Sequence, residues 1–171
     1  MIILVTGGTR SGKSRIAEQL ATEHGADGVT YLATARPDPA DTDHLARIAA
    51  HRDRRAGGWA TVECGGPDDL AAGLRATGQV ALVDSLGTWL TLHRDLEVPA
   101  SSVDALIDAL MRRAAATVLV SEEVGLAIHP PDALSRRYVD ALGLLNQRIA
   151  EVADRVLLVI AGRVLELPAT A

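Results

Sequence analysis

The chain has 171 residues, 48% of them apolar and 23% charged, and its net charge is −5. That length suits a single domain spanning residues 1–171, whose core must come from Leu, Val, Ile and Ala because aromatics are only 2% and Phe is absent. The lack of a basic excess and of stacking aromatics speaks against a nucleic-acid binder, so any polyphosphate must be held by a local site.

Apolar runs of strand length alternate with segments of helical period. Ile2 to Thr6 is a β-rich run that ends at Gly7-Gly8, and Arg15 to His24 carries Ile16, Ala17, Leu20 and Ala21 on one helical face. Val29 to Thr34 reads as a second strand. A Pro- and Asp-rich loop, Arg36 to Thr42, leads into a polar helix through Leu45 and Ile48 to about Arg55. Thr61 to Glu63 is a brief strand, and Leu70, Ala71 and Leu74 mark a short helix. Val80 to Asp84 is a buried strand with an acid at its end.

The stretch from Leu86 to Ala100 reads as a long irregular loop suited to reaching a substrate or a neighbouring subunit. Ser101 or Ser102 can cap the next helix, whose apolar face is Val103, Leu106, Ile107 and Leu110. Thr117 to Ser121 is a strand. The longest helix runs from about Asp132 to Ala153, with Leu134, Tyr138, Ala141, Leu142, Leu145, Ile149 and Val152 as its stripe.

Strands without polar alternation, separated by helices, predict a mostly parallel α/β sheet covered on both faces. The C-terminal end differs. Val156 to Ala161 and Val164 to Leu167 are joined by Gly162-Arg163, and two residues turn only a hairpin, so the last strand should be antiparallel.

Single Cys64 cannot form an internal disulfide or a structural zinc site, and an inert buried thiol is expected. His24, His93 and His129 show no metal-ligand spacing. Trp59 and Trp89 are core residues first and stacking platforms second, and Arg136 and Arg137 read as a solvated face, with contact to an acidic substrate as the alternative. With no charged apolar leader before the first strand and no apolar run near the ~20 residues that span a bilayer, a cytoplasmic protein without a membrane span is expected.

Gly7-Gly8-Thr9-Arg10-Ser11-Gly12-Lys13-Ser14 fits G-x-x-x-x-G-K-[ST], directly after a strand and before a helix. Its glycines let backbone N–H groups converge on phosphate oxygens. Lys13 can reach the β- and γ-phosphates, Ser14 can ligate Mg²⁺, and the helix N-terminus adds partial positive charge. Asp84, ending an apolar strand, stands where P-loop enzymes place a second acidic group for Mg²⁺.

A P-loop names a class and no substrate. On the polar helix Arg47, His51, Arg54 and Arg55 share one face. Neighbouring cations disfavour imidazolium, which would leave His51 neutral and nucleophilic, with guanidinium groups to clamp phosphate oxygens. A solvated basic face with an incidental His accounts for the same pattern.

Several blocks, in order along nearly the whole chain, decide between these. They are Leu4-Val5-Thr6-Gly7-Gly8 with Arg10 to Ser14; Arg47-Ile48 with His51-Arg52 and Arg55; Trp59, Thr61 and Glu63; Leu82 to Leu86 with Thr88-Trp89-Leu90; Glu123-Val124-Gly125; Asn146-Gln147 with Ala153-Asp154; and Ala161-Gly162. Together they resemble the bifunctional adenosylcobinamide kinase/adenosylcobinamide-phosphate guanylyltransferase family of cobalamin synthesis.

The resemblance implies a P-loop, RecA-like sheet with an antiparallel edge and a homotrimer. It implies ATP and GTP as substrates with Mg²⁺, and adenosylcobinamide and adenosylcobinamide phosphate as acceptors. His51 is then the residue that takes GMP from GTP. Residues Gly7 to Ser14, Ala33, Thr34, Ala35, Arg52, Asp53, Arg54, Arg55, Glu63 and Asp84 contribute to nucleotide binding. Some positions depart from the family pattern. Glu122 stands where Asn is frequent, Ala127 and His129 replace Gly and Val, and His44 replaces Met; all are expected outside the nucleotide core, where they could line the corrinoid site. Two rival readings are a simple P-loop kinase for a small hydroxylated metabolite, and a non-catalytic nucleotide-gated assembly module of RecA type.

Overall fold

The computed structural model describes residues 1–26, 28–35 and 58–169. The predicted loop from Arg36 to Thr42 and the polar helix that carries His51 lie outside the described residues.

Seven strands form one sheet: β1 (Ile2–Gly7), β2 (Val29–Ala33), β3 (Ala60–Glu63), β4 (Val80–Asp84), β5 (Thr117–Glu122), β6 (Arg155–Ile160) and β7 (Arg163–Leu167). The described helices are α1 (Lys13–His24), α2 (Asp69–Ala76), α3 (Leu86–Leu90), α4 (Ala100–Met111) and α5 (Ala133–Ala150). Strand order is β3-β2-β4-β5-β1-β6-β7. Every pairing is parallel except β6 with β7. The sheet is therefore mostly parallel with an antiparallel edge, and β5 separates the phosphate-loop strand β1 from β4, the RecA-like order.

The apolar strands divide their side chains between two faces. Ile3, Val5, Leu82, Val118, Val120 and Val159 pack with Ala17 and Ala21 of α1. Leu4, Leu32, Val83 and Leu119 pack on the opposite face with Leu70 and Leu74 of α2, Trp89 of α3, Leu106 and Leu110 of α4, and Leu142, Leu145 and Ile149 of α5. Burial of each such Leu or Ile stabilises the fold by ~1.5–3 kcal/mol. Because β1, β4 and β5 are covered on both sides, their sequences show no alternation.

Several expectations shift. Leu86 to Ala100 is less irregular than expected: α3 occupies its start, with a 3-10 turn at Arg94–Leu96. The cause is a capping box in which the Ser85 side chain accepts from the Thr88 amide and Thr88 reaches back to the Ser85 amide. Neither Ser101 nor Ser102 caps α4, because both lie inside it and Pro99 holds the N-cap position. Asp132 caps α5, its side chain accepting from the Ser135 amide at 2.8 Å. Leu134, one residue into that helix, leaves the stripe and is 60% exposed.

The hairpin turn also moves by one residue. Ile160 pairs with Arg163, so the turn is Ala161-Gly162, not Gly162-Arg163. Both turn residues have positive φ, 51° and 74°, as a type I′ turn requires. Trp89 is a core residue, 1% exposed, with its indole N–H donating to the Pro67 carbonyl at 2.9 Å. Cys64 is fully buried, and burial pushes its thiol up to about 11, so it is inert at neutral pH.

Candidate functional site

The carboxyl ends of the parallel strands bring the predicted residues together. In register across that edge, Glu63 faces Ala33, Ala33 faces Asp84, Glu122 faces Gly7, and Gly7 faces Val159. Open α/β sheets place ligands on this rim.

β1 runs out at Gly7, and the loop turns so that the Ser11 amide donates to the Gly8 carbonyl at 3.2 Å. Gly12 is the N-cap of α1, with φ 96°, a conformation a side chain resists. The N-cap residue offers no side chain, the Ser11 Oγ accepts from the Lys13 amide at a long 3.4 Å, and no acid occupies the first turn. Its leading N–H groups and the positive end of its dipole are thus presented to an anion. Lys13 opens the helix and curls over the loop, with Nζ 3.4 Å from the Gly8 carbonyl. Ser14 follows it in the first turn. Thr9 and Arg10 are exposed on the outer side of the loop.

The β6–β7 turn buttresses the loop from the side. The Gly162 amide donates to the Ser11 carbonyl at 2.8 Å, and a Cβ on Gly12 would sit 3.4 Å from the Gly162 Cα. The edge hairpin thus holds the phosphate loop, a role that the turn composition alone does not reveal.

Asp84 ends β4, and its Oδ2 accepts from the Tyr31 hydroxyl at 2.9 Å. Its carboxylate and the Ser14 hydroxyl are hard oxygen donors. That set, completed by phosphate oxygens and water, suits Mg²⁺ better than a softer ion. Thr34 is buried, donating to the Ser85 carbonyl at 2.7 Å with Thr88 Oγ1 2.5 Å away. It ties the end of β2 to the segment after Asp84. Ala33 closes β2, and Ala35 follows Thr34 at the rim. Glu63 ends the edge strand β3 and is exposed. His51, Arg52, Asp53, Arg54 and Arg55 lie outside the described residues.

Glu122 corrects an expectation. Expected outside the nucleotide core, it ends β5 beside Gly7, and its carboxylate lies in the electrostatic field of Lys13 and Asp84. Its Oε2 accepts from the Gly87 amide at 3.1 Å. Burial pushes its carboxyl above the usual range, and this outweighs the opposing pull of Lys13 and of a hydrogen bond to Ser85. The signal available in the sequence was an acid following the apolar run of β5, the same pattern that marked Asp84 on β4.

Gly87 makes the space for it. A Cβ there would overlap Glu122 Oε2 and come within 2.5 Å of Tyr138 Oη. Gly87→Ala should therefore force both side-chain tips aside and destabilise the protein by ~1–3 kcal/mol, read as a lower urea midpoint. An unchanged midpoint would show that the contact relaxes freely.

Residues 3–167 match the family described as cobinamide kinase / cobinamide phosphate guanyltransferase. Among curated relatives, the bifunctional adenosylcobalamin biosynthesis protein CobP of Pseudomonas aeruginosa is 45% identical, over 93% of this chain and 92% of its own length. The bifunctional adenosylcobalamin biosynthesis protein CobU of Salmonella typhimurium is 36% identical, over 95% and 97% respectively. Among solved structures, the flagellar accessory protein FlaH of Methanocaldococcus jannaschii is similar with a TM-score of 0.51 at 11% identity, over 95% of this chain and 74% of that one. An ATPase of the type III secretion system of pathogenic bacteria gives 0.50 at 12% identity, over 92% and 50%. At such identities the likeness concerns the fold alone.

Proposed function

Because this chain belongs to the cobinamide kinase / cobinamide phosphate guanyltransferase family, we propose that its one phosphate loop serves two successive reactions. In the first, the γ-phosphate of ATP or GTP passes to the aminopropanol hydroxyl of adenosylcobinamide. In the second, His51 attacks the α-phosphate of GTP and expels pyrophosphate. The phosphate of adenosylcobinamide phosphate then takes GMP from the imidazole, giving adenosylcobinamide-GDP.

The observation that carries this reading is the N-terminus of α1 behind Gly7 to Ser14, opened by the N-cap Gly12, with Asp84 ending β4 on the same rim of the sheet. Backbone N–H groups of the loop bind the polyphosphate, and Lys13 offsets charge that builds on the transferring phosphoryl group. Thr34 and Ala35 border the nucleotide, with Ala33 and Glu63 on the β2–β3 side. Arg52, Asp53, Arg54 and Arg55 contribute to GTP binding in this reading. Ser14 and Asp84 would hold Mg²⁺, which when bound screens the phosphate charge.

The test is turnover by the purified enzyme. It should consume ATP only when adenosylcobinamide is added, and release pyrophosphate from GTP while acquiring a covalent GMP label. A simple kinase would show the first alone. A nucleotide-gated assembly module would show neither.

A homotrimer belongs to the same reading. β7 is exposed along its whole length, with Val164, Leu165 and Leu167 open, and Ile160 beside it. An open apolar edge strand is a liability that a partner subunit removes. Light scattering should give three times the 18.0 kDa chain mass; a monomer at working concentration would contradict it. Among the described residues no helix is long and apolar enough to cross a membrane.

A further inference from the structure

Asp84 closes β4, which lies between β2 and β5 in the sheet. On the β5 side the Glu122 carboxylate lies in its electrostatic field, and like charges repel. On the β2 side the Tyr31 hydroxyl donates to Asp84 Oδ2 at 2.9 Å. A donor thus draws the acid from one flank while a second acid pushes from the other.

Strand alternation explains how the phenol arrives there. Tyr31 is opposite Leu82 in the β2–β4 register, and Ala33 is opposite Asp84. Val80, Leu82 and Tyr31 all belong to the apolar cluster that holds Ala17 and Ala21 of α1. Two residues beyond Leu82, Asp84 keeps to the same face. That face is covered by the helix whose first turn carries Ser14. The Tyr31 ring is 6% exposed, and its hydroxyl reaches along the strand to the acid. Both residues sit on paired strands, so the sheet sets their separation.

The ring alone would satisfy the apolar cluster. The hydroxyl adds a polar atom that must find a partner, and it donates to the acid that would hold Mg²⁺. An aspartate side chain turns about two bonds, and accepting from Tyr31 restricts both. A carboxylate has about four lone-pair sites, so capacity remains for a cation or its bound water. Partners of this kind orient a metal-binding carboxylate before the metal arrives.

Resting on the reading of Ser14 and Asp84 as the Mg²⁺ pair, we propose that Tyr31 is a positioning residue for that pair. Its hydroxyl holds the Asp84 carboxylate in one orientation on the α1 side of the rim, where cation and polyphosphate bind together. No bond is made or broken at Tyr31. Because one loop serves both reactions in that reading, the effect is common to both.

Tyr31→Phe tests this, since it removes one oxygen and leaves the ring to fill the core, so folding is retained. The first readout is binding without turnover, with a non-hydrolysable GTP analogue titrated in excess EDTA and at rising Mg²⁺. Expected is an analogue Kd in EDTA within about twofold of the parent, and a ~10–100-fold rise in the Mg²⁺ concentration that half-saturates the tightening. In both assays the Mg²⁺ midpoint should rise likewise, with kcat at saturating Mg²⁺ within about threefold of the parent. Asp84→Asn gives the reference, and in its background Tyr31→Phe should shift the Mg²⁺ midpoint no further.

An unchanged Mg²⁺ midpoint in Tyr31→Phe overturns the assignment, whatever happens to the urea midpoint. So does weaker analogue binding in EDTA, which makes Tyr31 a support of the pocket. A further shift in the Asp84→Asn background overturns it too, because the hydroxyl then acts through another partner. If Asp84→Asn itself leaves the Mg²⁺ midpoint where it was, the Mg²⁺ pair is wrongly drawn, a different failure that takes this role with it.

Discussion

Lys13→Ala should reduce both reactions by ~10²–10³-fold in kcat, the cost typical of removing one preorganised charge from a phosphoryl site. The reason is shared use. Among the described residues only α1 has a glycine, Gly12, as its N-cap, and Lys13 is its first helical residue. In the proposed function, ATP or GTP in the kinase step and GTP in the guanylylation step both lay their polyphosphate there. Folding should survive, because the residue starts a helix whose contacts to the sheet come from Ala17 and Ala21, and Ala is a strong helix former. Chelating Mg²⁺ should likewise silence both reactions. Assays of the two activities on one preparation decide the matter; near-normal turnover of either in Lys13→Ala would mean two separate nucleotide sites.

His51→Ala should divide the two activities that Lys13→Ala removes together. In the proposed guanylyl reaction the imidazole would form a covalent bond to phosphorus, so its loss should take GMP transfer to background. In the kinase reaction the γ-phosphate passes directly to the hydroxyl, and turnover should stay within about threefold of the parent. The charge pattern supports a neutral nucleophile. The sequence places Arg47, Arg54 and Arg55 on the predicted helical face of His51, the pattern from which a neutral nucleophile is expected. Steady-state rates for both half-reactions measure the split. Equal loss of both in a folded variant would make His51 a shared binding residue.

The parts of this site legible in the sequence are those whose chemistry is local. The phosphate loop declares itself because strand, glycines, lysine and helix follow one another without a gap. Asp84 was a candidate only beside the phosphate loop, because an acid closing an apolar strand is by itself a common turn residue. The parallel sheet followed from strands such as Val80 to Val83, which are apolar on both faces.

What escaped depends on contacts distant in sequence. Glu122 gains its meaning from Gly7, Gly87 and Lys13, none of which is near it in the chain. The turn was misplaced because Ala161, an L-residue without a polar side chain, adopts a φ of 51° that composition does not announce. It is this placement that brings Gly162 against Ser11 and makes an edge hairpin a support of the phosphate loop. The helix at Leu86–Leu90 did carry a readable signal, Ser85 with Thr88 three residues on, but its brevity hid it inside a stretch taken for a loop.

The central claim, that one chain couples phosphoryl transfer to a histidine-borne GMP, is tested most directly by incubating the unaltered enzyme with GTP labelled at the α-phosphate and mapping the label. The account predicts one labelled peptide, containing His51, whose label is lost in acid and kept in base, as a phosphoramidate requires. A label that survives acid, or that maps to another peptide, would contradict it.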